Sequence, residues 1–146
     1  MDEQFLAQNL ARLEVALDRL GRSMTSAAVA HMDVVPGPLL SGSQRGVLRA
    51  LVNRGPCQVS EVANHLSVTL SAATGLVDRL VKAKLVTRDR DQKDRRVVWV
   101  KVTPDGVAAL EAAETRRRIA LGKIMSNLSN EDLSTLCDIL ERIENP

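Results

Sequence analysis

Residues 59–80 constrain the fold of this chain more than any other segment, because they fit two short helices joined by a tight turn. In a helix, residues three and four apart share a face, so apolar residues at that spacing mark a buried side. We predict one helix at residues 60–66 and a longer one at residues 69–83. The positions expected to face inward are Val62, Ala63, Leu66, Val68, Ala73, Leu76, Val77 and Leu80. The segment therefore predicts a helix-turn-helix motif.

A predicted β-hairpin follows these helices directly. Apolar and β-branched residues at 85–87 and 97–100 flank a polar stretch, residues 88–96, which we predict to be a long charged loop. A basic side chain at such a tip can enter the narrow minor groove of DNA, where the negative potential is enhanced. A neighbouring aspartate can tether the backbone amides of the loop and orient the arginine.

The small total charge hides an uneven distribution. The chain of 146 residues has a formal net charge of +2. Residues 41–103 contain 12 basic and five acidic residues, a net charge of +7, whereas the two flanks together have a net charge of −5. A basic segment that coincides with a helix-turn-helix motif is typical of proteins that bind a polyanion.

The outer segments predict helices. In residues 4–30 the apolar residues recur in steps of four and three, a seam of three heptads, and Pro36-Gly37-Pro38 ends this region. The seam is compatible with a helix on its own core and with a helix packed on a partner subunit. A capping box opens the next helix at Ser41, another helix begins at Thr103-Pro104 and runs to about residue 127, and a last one begins near Ser129.

Composition excludes several other classes. With only Phe5 and Trp99 as aromatic residues, modules that stack bases on aromatic side chains are disfavoured. The two cysteines lie 80 residues apart and the two histidines are scattered, so we expect neither a disulfide framework nor a metal site. We expect a cytoplasmic, non-enzymatic protein without signal peptide, membrane span or cofactor, since catalytic and phosphate-binding motifs are missing. Cys57 follows a Gly-Pro turn and could be exposed and redox-sensitive.

Several short motifs together resemble the MarR family of bacterial winged-helix transcription factors. They are Ser43-Gln44, Gly55-Pro56, Val59-Ser60-Glu61-Val62-Ala63, Leu76-Val77-Asp78-Arg79-Leu80, Leu85-Val86, Asp94-Arg95-Arg96 and Val102-Thr103-Pro104-Asp105-Gly106. The resemblance implies a mainly α fold with a small β-hairpin, a winged helix-turn-helix. It implies a single MarR-like chain in which residues 1–38 and 104–146 form dimerisation helices and residues 39–103 form the DNA-binding lobe.

The resemblance also implies functional residues. In the recognition helix we expect DNA contacts from Thr69, Leu70, Ser71, Thr74, Arg79 and Lys82, and in the wing from Arg90, Lys93, Asp94, Arg95 and Arg96. Asp94 and Arg96 match the wing aspartate and minor-groove arginine of the family. Contacts to the DNA backbone are expected from Ser43, Gln44 and Ser60, and the dimer interface from Leu6, Leu10, Leu13, Leu17, Leu133, Leu136, Leu140 and Ile143. Family members often respond to small phenolic or aromatic acids, for which the candidates here are His31, Arg45 and Arg49.

The expected function is a homodimeric, sequence-specific regulator of double-stranded DNA, acting as a repressor and released by a small effector. Three residues depart from the family pattern. Leu70 and Gly75 stand where relatives often have polar residues, and Ser67 replaces a common turn glycine. These changes leave two readings open: an operator whose thymine methyl groups contact Leu70, or weaker base readout with greater reliance on the wing and DNA shape. The alternative function is a winged-helix module that binds proteins and no longer reads DNA.

Overall fold

The computed structural model describes residues 3–144, which form six helices and one two-stranded sheet. In chain order the elements are α1 (Glu3–Ala30), α2 (Gly42–Arg54), α3 (Val59–Leu66), α4 (Leu70–Lys82), β1 (Val86–Arg90), β2 (Val98–Val102), α5 (Pro104–Ile124), a 3₁₀ turn (Met125–Asn127) and α6 (Asn130–Glu144). The predicted order of helices and strands is confirmed. In this described part of the chain no helix is long and apolar enough to cross a membrane.

Most of these helices begin where the sequence predicts, and side-chain hydrogen bonds cap their first turns. The Ser41 hydroxyl accepts from the backbone N–H of Gln44 at 3.1 Å, and the Gln44 side chain accepts from the N–H of Ser41 at 2.9 Å. Thr103 caps α5 by accepting from the N–H of Gly106 at 3.0 Å. Ser129 does the same for α6 through the N–H of Asp132 at 3.1 Å. Each bond satisfies a backbone donor that the first turn of a helix leaves unpaired.

One compact unit comprises residues 35–115 and has a continuous hydrophobic core. Helices α2, α3 and α4 contribute its centre, and the sheet and the first turns of α5 complete it. The fully or nearly fully buried residues include Val47, Leu48, Leu51, Val62, Ala73, Val77, Leu80, Val86, Val100 and Leu110. The inward positions predicted for α3 and α4 are confirmed, with Leu66, Val68 and Leu76 packed at the edge of this core.

The hairpin is longer than the sequence pattern suggested. Arg88 pairs with Val100, Asp89 with Trp99 and Arg90 with Val98, so residues 88–90 belong to β1 and not to the loop. The prediction that the loop spans residues 88–96 was therefore wrong, because strand pairing across the turn outweighs the low strand propensity of these charged residues. Cys57 adds an isolated antiparallel bridge to Val100, which extends the sheet by one residue pair.

The second compact unit comprises the described residues up to Val34 and from Arg116 onward. Helix α1 is 28 residues long and has no buried residue, and α6 likewise has none. The boundaries of the two units, after Val34 and after Thr115, differ from the predicted lobe boundaries at residues 39 and 103. The first turns of α5 belong with the sheet because Ala109 and Leu110 lie in the same core as Leu85.

Candidate nucleic-acid interface

Helix α4 has one buried face and one exposed face. Ala73, Val77 and Leu80 are completely buried and attach it to the core. Thr69 caps its N-terminus by accepting a hydrogen bond from the N–H of Ala72 at 3.1 Å. The residues of the opposite face begin at Leu70 and Ser71, both exposed. This end of the helix therefore presents the side chains of Leu70 and Ser71 outward, as a helix that enters a groove requires.

Most polar side chains of α4 are already hydrogen-bonded within the protein. The Thr74 hydroxyl donates to the carbonyl of Leu70 at 2.8 Å, and Arg79 Nε donates to the carbonyl of Gly75 at 3.1 Å. Asp78 forms an ion pair with Arg88 of β1. Leu70, by contrast, leaves 57% of its surface exposed. The outer surface of this helix thus combines internally hydrogen-bonded polar side chains with one exposed leucine.

The wing, residues 91–97, is a loop that closes on itself. The N–H of Asp91 donates to the carbonyl of Val97 at 2.9 Å, and the N–H of Val97 donates to the carbonyl of Asp94 at 3.0 Å. The Asp94 carboxylate accepts three bonds from Arg96: from its backbone N–H at 3.0 Å, from Nε at 3.1 Å and from Nη2 at 3.3 Å. Arg96 nevertheless has 92% of its side chain exposed. An oriented, accessible guanidinium therefore stands at the end of the hairpin.

A second aspartate anchors the same loop, which the sequence analysis did not single out. One oxygen of Asp91, Oδ1, accepts from the backbone N–H groups of Lys93 at 2.7 Å and Asp94 at 3.1 Å. The other, Oδ2, accepts from the indole N–H of Trp99 at 2.9 Å. The sequence signal for this role is an aspartate at the start of the loop, because an aspartate in a turn often accepts from the backbone amides that follow it.

The hydrogen bonds of the wing lower the pKa values of both aspartates. The Trp99 indole and the loop amides hold the pKa of Asp91 below its ordinary value. The Arg96 guanidinium and backbone N–H do the same to the pKa of Asp94. Because hydrogen bonds to the charged form favour it, both carboxylates remain ionised at neutral pH.

Ion pairs take up only some of the basic side chains. Lys101 pairs with Asp89 at 3.0 Å, and Arg49 pairs with Glu114 of α5 at 2.7 Å. Across residues 3–144, no carboxylate lies within ion-pairing distance of Arg79, Lys82, Arg90, Lys93 or Arg95. These five cations lie on α4, at the end of β1 and in the wing, so the elements predicted to contact DNA carry positive charge that no ion pair neutralises.

The comparisons with known proteins agree on one family. A family model described as the MarR family matches residues 40–98. The HTH-type transcriptional repressor MdtR of Bacillus subtilis is 31% identical over 101 residues, which are 69% of this chain and 65% of MdtR. The multiple antibiotic resistance protein MarR of Salmonella typhimurium is 32% identical over 105 residues, which are 71% of this chain and 73% of that protein. This chain belongs to the MarR family.

Solved structures extend the likeness of this MarR-family protein over nearly its whole length. The transcriptional regulator BldR from Sulfolobus solfataricus aligns with a TM-score of 0.64 and 30% sequence identity, over 97% of this chain and 99% of BldR. The predicted winged-helix fold is confirmed. The protein is accordingly a helix-turn-helix transcriptional regulator that binds DNA.

The three residues predicted to contact the DNA backbone lie at helix N-termini of this MarR-family fold. Ser43 is exposed in the first turn of α2, and Ser60 is exposed in the first turn of α3. Gln44 is half-buried and uses its side-chain oxygen in the capping box. Its amide nitrogen is then the end that could donate to a phosphate, where the helix dipole also favours negative charge.

The candidate effector residues have partners of their own. His31 is buried, with Nδ1 at 2.5 Å from the carbonyl oxygen of Ala27 in the preceding turn of α1. Arg49 donates twice to Glu114, and Arg45 is half-buried in the same helix. A separate cavity of about 420 Å³ lies beside α3 and is lined in part by Arg54, Cys57 and His65. An effector role for His31, Arg45 and Arg49 stays a prediction.

Cys57 is buried, so the possibility that its place after the Gly-Pro turn exposes it does not hold. Its backbone exchanges two hydrogen bonds with Val100, of 3.2 and 2.8 Å, and only 7% of the residue is accessible. Burial raises the pKa of the Cys57 thiol, Glu61 raises it further, and Arg54 opposes them. Cys137 on α6 is the exposed cysteine. Since the thiolate is the reactive form, Cys57 has the features of a structural cysteine.

Proposed function

We propose that this protein is a homodimeric repressor of transcription that binds a specific double-stranded operator. Helix α4 enters the major groove, Arg96 of the wing enters the adjacent minor groove, and a two-fold axis places the second copy about one helical turn away. Arg96 carries the proposal, because it is both accessible and held by three bonds to Asp94. The repressor assignment is supported by the relative MdtR, which is named as a repressor.

The basic test is binding to DNA fragments selected from genomic DNA or from a random library. A protein that neutralises several phosphates releases counterions, so affinity for the selected fragment should fall steeply between about 50 and about 200 mM salt, on the order of 10³-fold. Gel shift or fluorescence anisotropy measures this. A salt-independent affinity, or equal affinity for selected and unrelated fragments, would overturn the proposal.

Arg96→Ala tests the wing. The substitution removes the minor-groove cation and should cost about 1–3 kcal/mol of binding free energy. It should change the thermal unfolding midpoint only slightly, because the side chain is exposed and its pair with Asp94 is a surface pair. The matched control is Arg12→Ala on α1, an exposed arginine outside the winged-helix unit. Equal affinities of the Arg96 variant and the wild type would remove the wing from the DNA contact.

Leu70 is proposed to read thymine. It is the first residue of α4, largely exposed, and its apolar side chain can contact the C5-methyl group of thymine in the major groove. Burial of one methyl group contributes about 0.8 kcal/mol, roughly a fourfold change in affinity. Replacing individual thymines of the selected operator by deoxyuridine should therefore weaken wild-type binding at one position of each half-site. The same replacement at that position should not change the affinity of the Leu70→Ala variant. If no uracil position discriminates the two proteins, the contact does not exist.

Release by a small phenolic or aromatic acid is the regulatory part of the proposal. Its support is the family resemblance together with the position of two arginines, Arg45 and Arg49, on α2. The test adds benzoate and 4-hydroxybenzoate to the preformed protein–operator complex and measures the dissociation constant. Arg45→Ala should abolish any response, whereas an unchanged dissociation constant at saturating acid would exclude this effector class.

A further inference from the structure

The single tryptophan of the chain is joined to the wing by a hydrogen bond. Trp99 lies in β2, opposite Asp89 of β1, and is half-buried. Its indole N–H donates to Asp91 Oδ2 at 2.9 Å. An indole N–H away from bulk water needs an acceptor, and an ionised carboxylate is a strong one. The first residue of the wing is thus fixed to the strand beside it.

A series of hydrogen bonds connects the Trp99–Asp91 pair to Arg96. The second oxygen of Asp91 accepts from the backbone N–H of Asp94, which fixes the position of the Asp94 backbone. The Asp94 carboxylate in turn holds the Arg96 backbone and guanidinium. The order of contacts is Trp99, Asp91, Asp94 and Arg96, and every link is a hydrogen bond to a carboxylate.

We propose that Trp99 is a positioning residue for the DNA-contacting arginine, acting through Asp91 to hold the wing in its binding conformation. This inference rests on the proposed function in one respect, that Arg96 contacts DNA. It adds a residue in the sheet, remote from the wing tip, that sets the affinity of the wing.

The physical reason is preorganisation. Arg96 is a long exposed side chain, and immobilising such a side chain only upon binding costs enough free energy to weaken affinity by about 2- to 12-fold. In the free protein the Asp94 bonds already hold the guanidinium, and the bonds of Asp91 hold Asp94. If Trp99 loses its N–H, Asp91 keeps its bonds to the loop amides but loses its anchor on β2, so the whole cluster gains freedom.

Trp99→Phe isolates this hydrogen bond. Trp99 is not a member of the buried core cluster, and phenylalanine keeps an aromatic ring on the half-buried strand while removing the donor. The variant has the same charge as the wild type, so long-range attraction to DNA is unchanged. Thr87→Val is a matched neutral control, because Thr87 lies on the same hairpin, exposed, opposite Lys101 and away from the wing.

The experiment is a double-mutant cycle on the operator selected above, with the wild type, Trp99→Phe, Arg96→Ala and the double variant. We expect Trp99→Phe to weaken binding by about 2- to 12-fold in the wild-type background and to have no further effect when Arg96 is already alanine. Thr87→Val should bind as the wild type. Wild-type affinity of Trp99→Phe, or an equal loss in both backgrounds, would overturn the inference.

A measurement without DNA separates this inference from the proposed function. In the wild type the Arg96 Nε–H donates to Asp94 and should give a protected, resolved signal in ¹H–¹⁵N NMR spectra. Trp99→Phe should broaden or lose that signal, whereas Thr87→Val should retain it. Failure of the wild type to bind any selected DNA would refute the proposed function, and the Arg96 signal would still decide whether Trp99 positions the guanidinium. An unchanged signal in Trp99→Phe would refute the positioning role.

Discussion

At the scale of single residues, carboxylates organise the candidate interface as much as cations do. Asp94 orients Arg96, and Asp91 binds the loop amides and the Trp99 indole. Asp78 of α4 and Asp89 of β1 are paired with Arg88 and Lys101. The acidic residues within the basic segment therefore determine, by ion pairing, which cations remain available for phosphates and which ones stabilise the hairpin.

The wing should keep its conformation far into the acidic range. The pKa values of Asp91 and Asp94 are lowered in the folded protein, so their bonds contribute stability above the ordinary aspartate pKa of about 3.9 and lose it as the pH falls through the lower folded values. We expect Trp99 fluorescence to stay constant from about pH 8 to about pH 5 and to change only below about pH 3.9. Asp91→Asn should remove that acid transition. A fluorescence midpoint at or above about pH 5 in the wild type would contradict the expectation.

Cys57 should be unreactive in the folded protein. Its thiol is buried and its pKa is raised chiefly by that burial, so little thiolate forms at neutral pH. In a Cys137→Ser background, alkylation by iodoacetamide should be slower than in denaturant by about tenfold or more. Mass spectrometry over time measures the two rates. Equal rates in the folded and denatured states would restore Cys57 as a redox candidate.

At the scale of elements, the start of α5 is fixed by the hairpin that precedes it. A Cβ atom added at Gly106 would lie 2.0 Å from the carbonyl oxygen of Leu85 and 2.8 Å from Val102 Cγ2. Backbone cannot yield as a flexible side chain can, so glycine is required for this close approach. The Thr103 cap and Gly106 together determine how the helix leaves the sheet.

Gly106→Ala should therefore destabilise the winged-helix unit by about 3 kcal/mol or more, above the usual range for overpacking. Denaturant unfolding followed by circular dichroism measures the free energy. Gly75→Ala is the matched control, because a Cβ there meets only Arg79 Nη2 at an ordinary 3.5 Å. Glycine in an exposed helix is about 1 kcal/mol less favourable than alanine, so the control should gain stability. A Gly106 variant as stable as the wild type would mean that the hairpin shifts freely.

The hairpin shows how far an element can be predicted. Its existence followed from two apolar runs, but its length depended on pairing partners that periodicity does not contain. Residues 88–90 are charged and exposed, and they are strand only because residues 98–100 lie opposite them. The Asp91–Trp99 bond depends on that same register, which is why the sequence indicated the role of Asp94 and not that of Trp99.

At the scale of the whole molecule, the two compact units differ in how much of their own apolar surface they bury. The unit of residues 35–115 has a buried core, whereas α1 and α6 have no buried residue. Most of the predicted interface residues are exposed by 40% or more, and they include Leu10, Leu13, Leu17, Leu133, Leu140 and Ile143. Leu136 is half-exposed. So much exposed apolar surface on two amphipathic helices favours the proposed second copy as its cover.

The molecular mass measured by sedimentation should accordingly be twice the 15.9 kDa mass of the chain. A charge at the seam would have to be buried without a partner, so Leu13→Glu combined with Leu140→Glu should shift the equilibrium to monomer and weaken operator binding. The control is Gln8→Glu, because Gln8 lies on the same helix outside the heptad seam. This variant should stay dimeric. Analytical ultracentrifugation measures both. A wild-type monomer at micromolar concentration would refute the dimer, and a dimeric double variant would place the interface elsewhere.

By itself, the sequence determined the features that depend on neighbours along the chain. These are the helix caps, the buried stripes of α3 and α4, the aspartate two residues before Arg96, and the basic segment between acidic flanks. Hydrogen bonds and periodicities over two to four residues are local, so pattern is sufficient to predict them.

Only the tertiary structure decided the long-range contacts. The Arg49–Glu114 pair spans 65 residues, the Cys57–Val100 bridge buries a thiol that appeared accessible, and strand register brings Trp99 to Asp91. Partners of this kind are selected by how the elements pack, and packing minimises the exposed apolar surface of the whole unit instead of following any local pattern.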